Sequence, residues 1–242
     1  MAEPSALPTS CYSTSQSAQE LKEIFQQITI HSCPKHYNFH MHTHCSDGKL
    51  SPSELMEKAI DLQLKGFAIT DHHTIRGYQQ ACQWLESWRW THPSSWSSSQ
   101  TKSKLPRLWC GVEITASLLD VDVHILGYAF DPNNVGLKKY FQGGAPIGED
   151  RYAKFVIQAI HAAGGMAILA HPARYRLSPE ELIPAAAGLG IDGVETYYAY
   201  DHPTEWRPTP EKTERVQTLA NTHKLLSTCG TDSHGLTLTR RI

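Results

Sequence analysis

The stretch "HMHTHCSDG", residues 40–48, sets His40, His42 and His44 at alternate positions and follows them with an Asp-Gly turn. On a strand, period 2 puts all three imidazoles on one face, which is a poor way to build a core. Such a run is either a solvated polar ribbon or part of a ligand cluster, and the stretch alone leaves both open. The rest of the chain favours the cluster, because most metal-capable residues stand just after short apolar runs. His40 and His42 follow "YNF", Asp71 and His72 follow "FAIT", Glu113 follows "LWCGV", His171 follows "MAILA", and Asp232 and His234 follow "LLSTCGT". One such strand end is ordinary; five point to a shared site. His124 fits less tidily, since it lies inside "VDVHILGY" rather than after it.

Converging strand ends need a fold that gathers them. "HYNFHMH" leads into a helical segment, "SPSELMEKAIDLQLKG", which Ser51 or Ser53 can cap, and then into "GFAITDHH", a strand-helix-strand unit of a parallel sheet. "RLWCGVEI", "VDVHILGYAF", "MAILAHP", "DGVETYY" and "LLSTCGTDSHG" read as further strands. A helix in "RYAKFVIQAIHAAGG" stops at Gly164 and Gly165, and others are expected near 179–188 and 210–223. Seven apolar runs, four of them preceded by helix candidates, predict a (β/α) barrel or a closely related parallel arrangement. In such a barrel, catalytic groups gather at the C-terminal ends of the strands.

Residues 1–34 are expected to form an N-terminal extension: a polar, Ser-rich tip, then a docking helix in which Leu21, Ile24, Phe25 and Ile28 recur at helical spacing. Residues 35–242 form the expected barrel domain, with a Ser-rich, Pro-bounded excursion at about 91–106. Trp84, Trp88 and Trp90 read as packing residues. With 242 residues and 40% hydrophobic content the chain can bury a full core, while a net charge of −2 gives no electrostatic case for general nucleic-acid binding. Any phosphate site must be local. The absence of an apolar run near 20 residues, and of a basic-then-apolar N-terminus, leads to the expectation of a cytoplasmic protein with no membrane association. Cys11, Cys33, Cys45, Cys82, Cys110 and Cys229 form no CxxC pair and are expected to be free, mostly buried thiols rather than a zinc-thiolate site.

In this order, "HMHTHCSDG", "TDHH", "GVEI", "VHILGY", "AHPARY" and "GTDSHG" resemble the PHP family, the polymerase and histidinol phosphatase domains, and especially its stand-alone nucleotide phosphoesterases. The resemblance covers about residues 36–235. It implies an α/β fold, a distorted (β/α)7 barrel, with two or three divalent metal ions at the mouth. The implied ligands are His40, His42, Asp47, His72, Glu113, His124, His171, Asp232 and His234; His44 falls outside the pattern. It further implies that His40, His42, Glu113 and Asp232 hold one ion, that Glu113 bridges to a second held by His124 and His171, and that Asp47, His72 and His234 hold a third. Six imidazoles and three carboxylates suit Mn, Fe or Zn better than Mg or Ca, which prefer oxygen shells. The implied nucleophile is a hydroxide bridging two ions, formed near neutral pH because coordination lowers the pKa of water from about 15.7 towards about 7.

Arg174, three residues after His171, is expected to take a phosphate bidentately, and Asp71 to orient a neighbouring group rather than bind metal. His73, His202 and Arg151 read as surface or helix-face residues, and Glu195, at the end of "DGVE", has no assigned role. Two departures from the family stand out. Asn38 occupies a place that is often Asp, which makes that supporting contact neutral. The insertion at about 131–150 is short, which implies a reduced substrate lid.

The leading expectation is a metal-dependent phosphoesterase that hydrolyses phosphate monoesters, with a small phosphorylated substrate such as a nucleotide, a nucleoside bisphosphate or a short RNA or DNA end. No obligate protein partner is implied. The alternatives are a phosphatase of the histidinol-phosphate or other small-molecule type, carbonyl or amide hydrolysis by a related metal barrel, and a non-catalytic metal-binding barrel. The amide hydrolase would want no phosphate-binding arginine. The non-catalytic barrel would have lost ligands, and here every matched ligand is present.

Overall fold

A computed structural model describes residues 16–91, 105–201 and 203–242. Seven strands pair in chain order: β1 (Tyr37–Asn38), β2 (Gly66–Ile69), β3 (Arg107–Leu118), β4 (Val121–Tyr128), β5 (Met166–Leu169), β6 (Gly193–Tyr197) and β7 (Leu226–Cys229). The helices are α1 (Ala18–Phe25), α2 (Pro52–Asp61), α3 (Arg76–Thr91), α4 (Ala153–Ala162), α5 (Pro179–Gly188) and α6 (Pro210–Thr222). The backbone beyond β1 meets that beyond β7, since Phe39 N–H donates to Cys229 O at 3.1 Å and His42 N–H to Ser233 O at 3.0 Å. The ring is thereby nearly closed.

Side chains alternate across this ring. Along β3, Trp109 points to the interior cluster shared with Ala68, Leu126, Tyr128 and Ile168, while Leu108, Cys110 and Val112 face the outer helices. α1 joins the interior cluster through Leu21 and Phe25, and the Phe25 ring meets Phe39 and Tyr128 edge-on at 4.9 and 5.7 Å. Full burial of such side chains is worth roughly 1.5–3 kcal/mol each. The polar ends of the helices are also satisfied. Ser51, not Ser53, caps α2 in a capping box with Glu54, and Gly164, at φ +77°, follows α4 in the left-handed conformation that ends a helix.

The expectation of parallel strands fails at β4, which runs antiparallel to both β3 and β5. No helix intervenes between β3 and β4. Leu119 and Asp120 make the hairpin turn with φ of +51° and +57°, a two-residue connection whose twist matches the flanking strands. Because Gly and Asn are the usual residues there, the turn carries no sequence signal. Free thiols are found at Cys33, Cys45, Cys110 and Cys229, but Cys82 is disulfide-bonded, which corrects the expectation for that residue. Cys11, His202, the N-terminal tip and most of the Ser-rich excursion, residues 92–104, lie outside the described residues. No helix among the described residues is long and apolar enough to cross a membrane.

Candidate metal centre

Glu113 continues the inner face of β3 that begins with Trp109, but it lies beyond the apolar plug, where the interior turns polar. Its backbone is locked on both sides: His73 N–H donates to Glu113 O at 3.0 Å, and Glu113 N–H to Asp71 O at 3.3 Å. β4 runs the opposite way, so its first half rather than its end reaches the mouth. There His124 pairs with Thr115, and its side chain stands 2.7 Å from Glu113 Oε1. The odd position of His124 in the sequence is thus explained by strand direction.

Glu113 is the hub. Its Oε1 lies 2.7 Å from His124 Nδ1 and 3.4 Å from His171 Nε2. Its Oε2 lies 3.0 Å from His40 Nε2, 3.0 Å from His42 Nε2 and 3.6 Å from His72 Nδ1. Asp232 Oδ1 completes the deepest group, at 3.4 Å from His40 Nε2 and 3.2 Å from His42 Nε2. A more open group surrounds Asp47, with His234 Nε2 at 3.2 Å, His42 Nδ1 at 3.6 Å and His72 Nε2 at 3.8 Å. Three sets of side chains could each hold a cation: His40, His42, Glu113 and Asp232; His72, Glu113 and His124; and His42, Asp47, His72 and His234. His171 touches the hub without joining a set. All nine residues from the sequence motifs therefore meet in one cluster, while His44 is exposed outside it.

This cluster fits metal ions on a structural test. Both nitrogens of His42, Glu113 Oε1, His124 Nδ1 and His171 Nδ1 are buried and, although several stand close to one another, none makes a hydrogen bond of acceptable geometry among the described residues. Unpartnered buried donors and acceptors are costly, and one whole imidazole left so amid carboxylates has the character of a coordination shell. His171 and Asp232 also have left-handed backbones, with φ of +28° and +52°, a strain that surrounding structure must impose.

Charge couples the groups. Burial lowers the pKa of His40, but Glu113, Glu195 and Asp232 outweigh it and hold it well above the ordinary value. For His42, burial is likewise overcome, by Asp232 and Glu113, and the pKa rises to about 9. Burial raises Glu113 and Asp232, yet the neighbouring histidines hold both carboxyls well below the usual range. His72 goes the other way: burial brings it to about 4, leaving it neutral and ready to donate a lone pair.

A supporting layer surrounds the cluster. Glu195 accepts from His40 Nδ1 at 3.0 Å and from the His171 backbone N–H at 2.9 Å, so the residue without an assigned role orients two histidines at once. Its place at a strand end was the available signal. Asp71 accepts from the Thr43 N–H at 2.6 Å, the Thr43 hydroxyl at 2.7 Å and the Ser46 hydroxyl at 2.8 Å, which fixes the loop that presents Asp47. Asn38 bonds Thr231 through both ends of its amide, at 2.8 and 3.0 Å, a neutral clamp just before Asp232. Asp232 Oδ2 receives Tyr198 at 2.7 Å, Arg241 at 2.8 Å and Arg174 at 2.9 Å. Sequence reasoning missed Tyr198 and Arg241; the tail brings Arg241 back by pairing its carbonyl with the His234 N–H at 2.7 Å. His73 is buried against Thr115 at 3.1 Å rather than on a surface, and Arg151 is half exposed, 3.7 Å from Asp122.

The model of the PHP domain family matches residues 38–230. A 5′-3′ exoribonuclease of Haemophilus influenzae is 26% identical, over 66% of this chain and 78% of its own. The 5′-3′ exoribonuclease Rnm of Escherichia coli is 22% identical, over 82% and 85%. Among solved structures, a protein of Bifidobacterium adolescentis assigned as a metal-dependent phosphoesterase superposes with a TM-score of 0.64 at 25% identity, covering 86% of this chain and 93% of that one. An amidohydrolase of Chromobacterium violaceum gives 0.63 at 20% identity, over 83% and 88%, and so shares the fold.

Proposed function

The chain belongs to the PHP domain family, and from that premise we propose that it is a metal-dependent phosphoesterase acting on nucleotides or on the ends of oligonucleotides. The observation that carries this reading is Glu113, a buried carboxylate with five imidazoles ranged about its two oxygens. The exoribonuclease relatives and the phosphoesterase neighbour support the substrate class. We read residues 35–242 as the catalytic barrel and 1–34 as an extension docked through α1, in a cytoplasmic protein.

Two or three ions of Mn, Fe or Zn would be held by His40, His42, Asp47, His72, Glu113, His124, His171, Asp232 and His234. Bound there, they would supply Lewis acidity towards the phosphoryl oxygens and activate water near neutral pH. The chain's own groups do the rest. Glu195 keeps His40 Nδ1 occupied, so that only Nε2 faces the centre. Asp71 sets the position of Asp47 through Thr43 and Ser46. Arg174 and Arg241 stand together beside Asp232, where their forks would meet the non-bridging oxygens of a phosphate and hold it in register.

The test is reconstitution of the purified protein with Mn, Fe or Zn, elemental analysis, and a hydrolysis screen over mononucleotides, nucleoside bisphosphates, sugar phosphates, histidinol phosphate and short 5′-phosphorylated RNA. At least two ions per chain and fastest turnover on a nucleotide or RNA end are expected. Preference for histidinol phosphate would move the protein to the small-molecule class. Full metal occupancy without turnover of any substrate would make it a binding barrel.

A further inference from the structure

Beside the metal centre lies a cavity of about 510 Å³, within the range of small-ligand sites. Ile75, Pro132 and Phe141 give it apolar walls, and Arg76 and Lys138 contribute cations. Among the described residues no carboxylate lines it. Among the described residues, the Arg76 guanidinium has only the Cys45 carbonyl as a partner, at 3.3 Å, and Lys138 has no ion pair, whereas the adjacent Lys139 is neutralised by Asp150. In a chain with a net charge of −2, two uncompensated cations on one cavity of mixed polar and apolar lining are a local anion site of the kind that composition had left room for.

Both walls hang from the strand end that carries His72. Thr74, on one wall, is two residues from His72, a reach of at most about 7 Å between Cα atoms. Gly143, on the other, donates its N–H to His73 O at 2.9 Å. The cavity therefore borders the strand end that carries His72 and is tied to it by backbone on both walls.

Resting on the function proposed above, we infer that this cavity is a subsite for the nucleotide adjoining the one whose phosphate ester is hydrolysed. A ribonucleotide brings the two things the walls ask for. Its base has an apolar face for Phe141 and Pro132, and its phosphate meets Arg76 and Lys138. Cation contacts to phosphate carry no base preference, so the subsite reads chain length rather than sequence.

Lys138→Glu and Arg76→Ala test this on a 5′-phosphorylated dinucleotide, a 5′-phosphorylated trinucleotide and the matching mononucleotide. Each variant is expected to lower kcat/KM on the di- and trinucleotide by about tenfold or more and to leave the mononucleotide within about twofold. Equal losses on all three substrates, or no loss on any, would overturn the subsite. Lys138→Glu guards against a folding artefact of Arg76→Ala, because Lys138 is exposed and has no ion pair among the described residues. A second arm needs no turnover: anisotropy of a 3′-fluorescein, 5′-phosphorylated hexaribonucleotide with metal-free protein. Binding should weaken about tenfold in Lys138→Glu, and the slope of log affinity against log salt should fall by about one. Charge-dependent RNA binding without hydrolysis of any substrate by the metal-loaded enzyme would support the subsite and defeat the phosphoesterase reading. Binding indifferent to both substitutions would defeat the subsite and leave that reading standing.

Discussion

Glu195 grips His40 with both carboxylate oxygens, 3.0 and 3.2 Å from Nδ1, and so leaves Nε2 as the one nitrogen of that ring facing Glu113 and Asp232. A carboxylate in this role fixes the tautomer of a ligand histidine and raises its basicity. Glu195→Gln keeps the shape and removes the charge. Metal affinity, measured by chelator competition, should fall by about 10–100-fold. An affinity equal to wild type would remove the orienting role.

The centre should exchange protons for metal. His42, with a pKa of about 9, holds a proton at pH 7 in the metal-free state, and the carboxylates around His40 raise its pKa in the same direction. A cation must displace the proton. Titration calorimetry in buffers of different ionisation enthalpy should show proton release on adding Zn, and apparent affinity should climb with pH up to about 9, about tenfold per unit for each proton displaced. Stability of the metal-free protein runs the other way. Groups whose folded pKa is raised stabilise fully below the unfolded value, near 6.5, and that contribution is lost as pH rises through about 9. Metal uptake with no proton release would refute the linkage.

Arg174→Lys preserves a positive charge but loses the planar guanidinium, whose Nη1 now donates to both Tyr198 Oη and Asp232 Oδ2, at 3.1 and 2.9 Å. If the guanidinium holds substrate phosphate, kcat/KM on phosphorylated substrates should fall about 10–100-fold while metal content stays the same. Loss of an ion in this variant, read by elemental analysis, would reassign Arg174 to holding Asp232 in place.

Asp71→Asn should loosen the loop that bears Asp47. Three donors converge on the Asp71 carboxylate, and an amide would oppose at least one of them with a donor of its own. The expected cost is about 1–3 kcal/mol in denaturant unfolding of the metal-free protein, with faster hydrogen exchange at the Thr43 amide. Unchanged exchange there would show that the loop is held by something else.

Gly77 makes a steric version of the same test. A Cβ there would stand 1.9 Å from Asp71 Oδ2 and 2.8 Å from Thr43 Oγ1. Gly77→Ala should therefore reproduce the loop defect of Asp71→Asn although it changes no polar group. Wild-type exchange at Thr43 in this variant would mean that the carboxylate can shift without cost.

His40, His42, His72, Glu113, His171, Asp232 and His234, and the alternation of apolar runs with helices, were legible in the sequence because each is local, whereas Asp47 and His124 were reached only through the family resemblance. Residue identity sets what can coordinate, and period 2 or 3.6 sets which way it faces. The capping serine of α2 and the glycine stop after α4 were legible for the same reason. Strand direction was not. β4 is antiparallel because Leu119 and Asp120 turn the chain in two residues, without the glycine or asparagine that would have announced it, and only pairing with β3 and β5 holds that turn. The placement of His124 follows from that pairing alone. Glu195 could be seen at a strand end, but its grip on His40 spans 155 positions of sequence, and Arg241 reaches Asp232 only because the tail folds back on His234. Local chemistry determined which atoms were available to the centre; long-range backbone pairing, which no short stretch encodes, decided which of them meet.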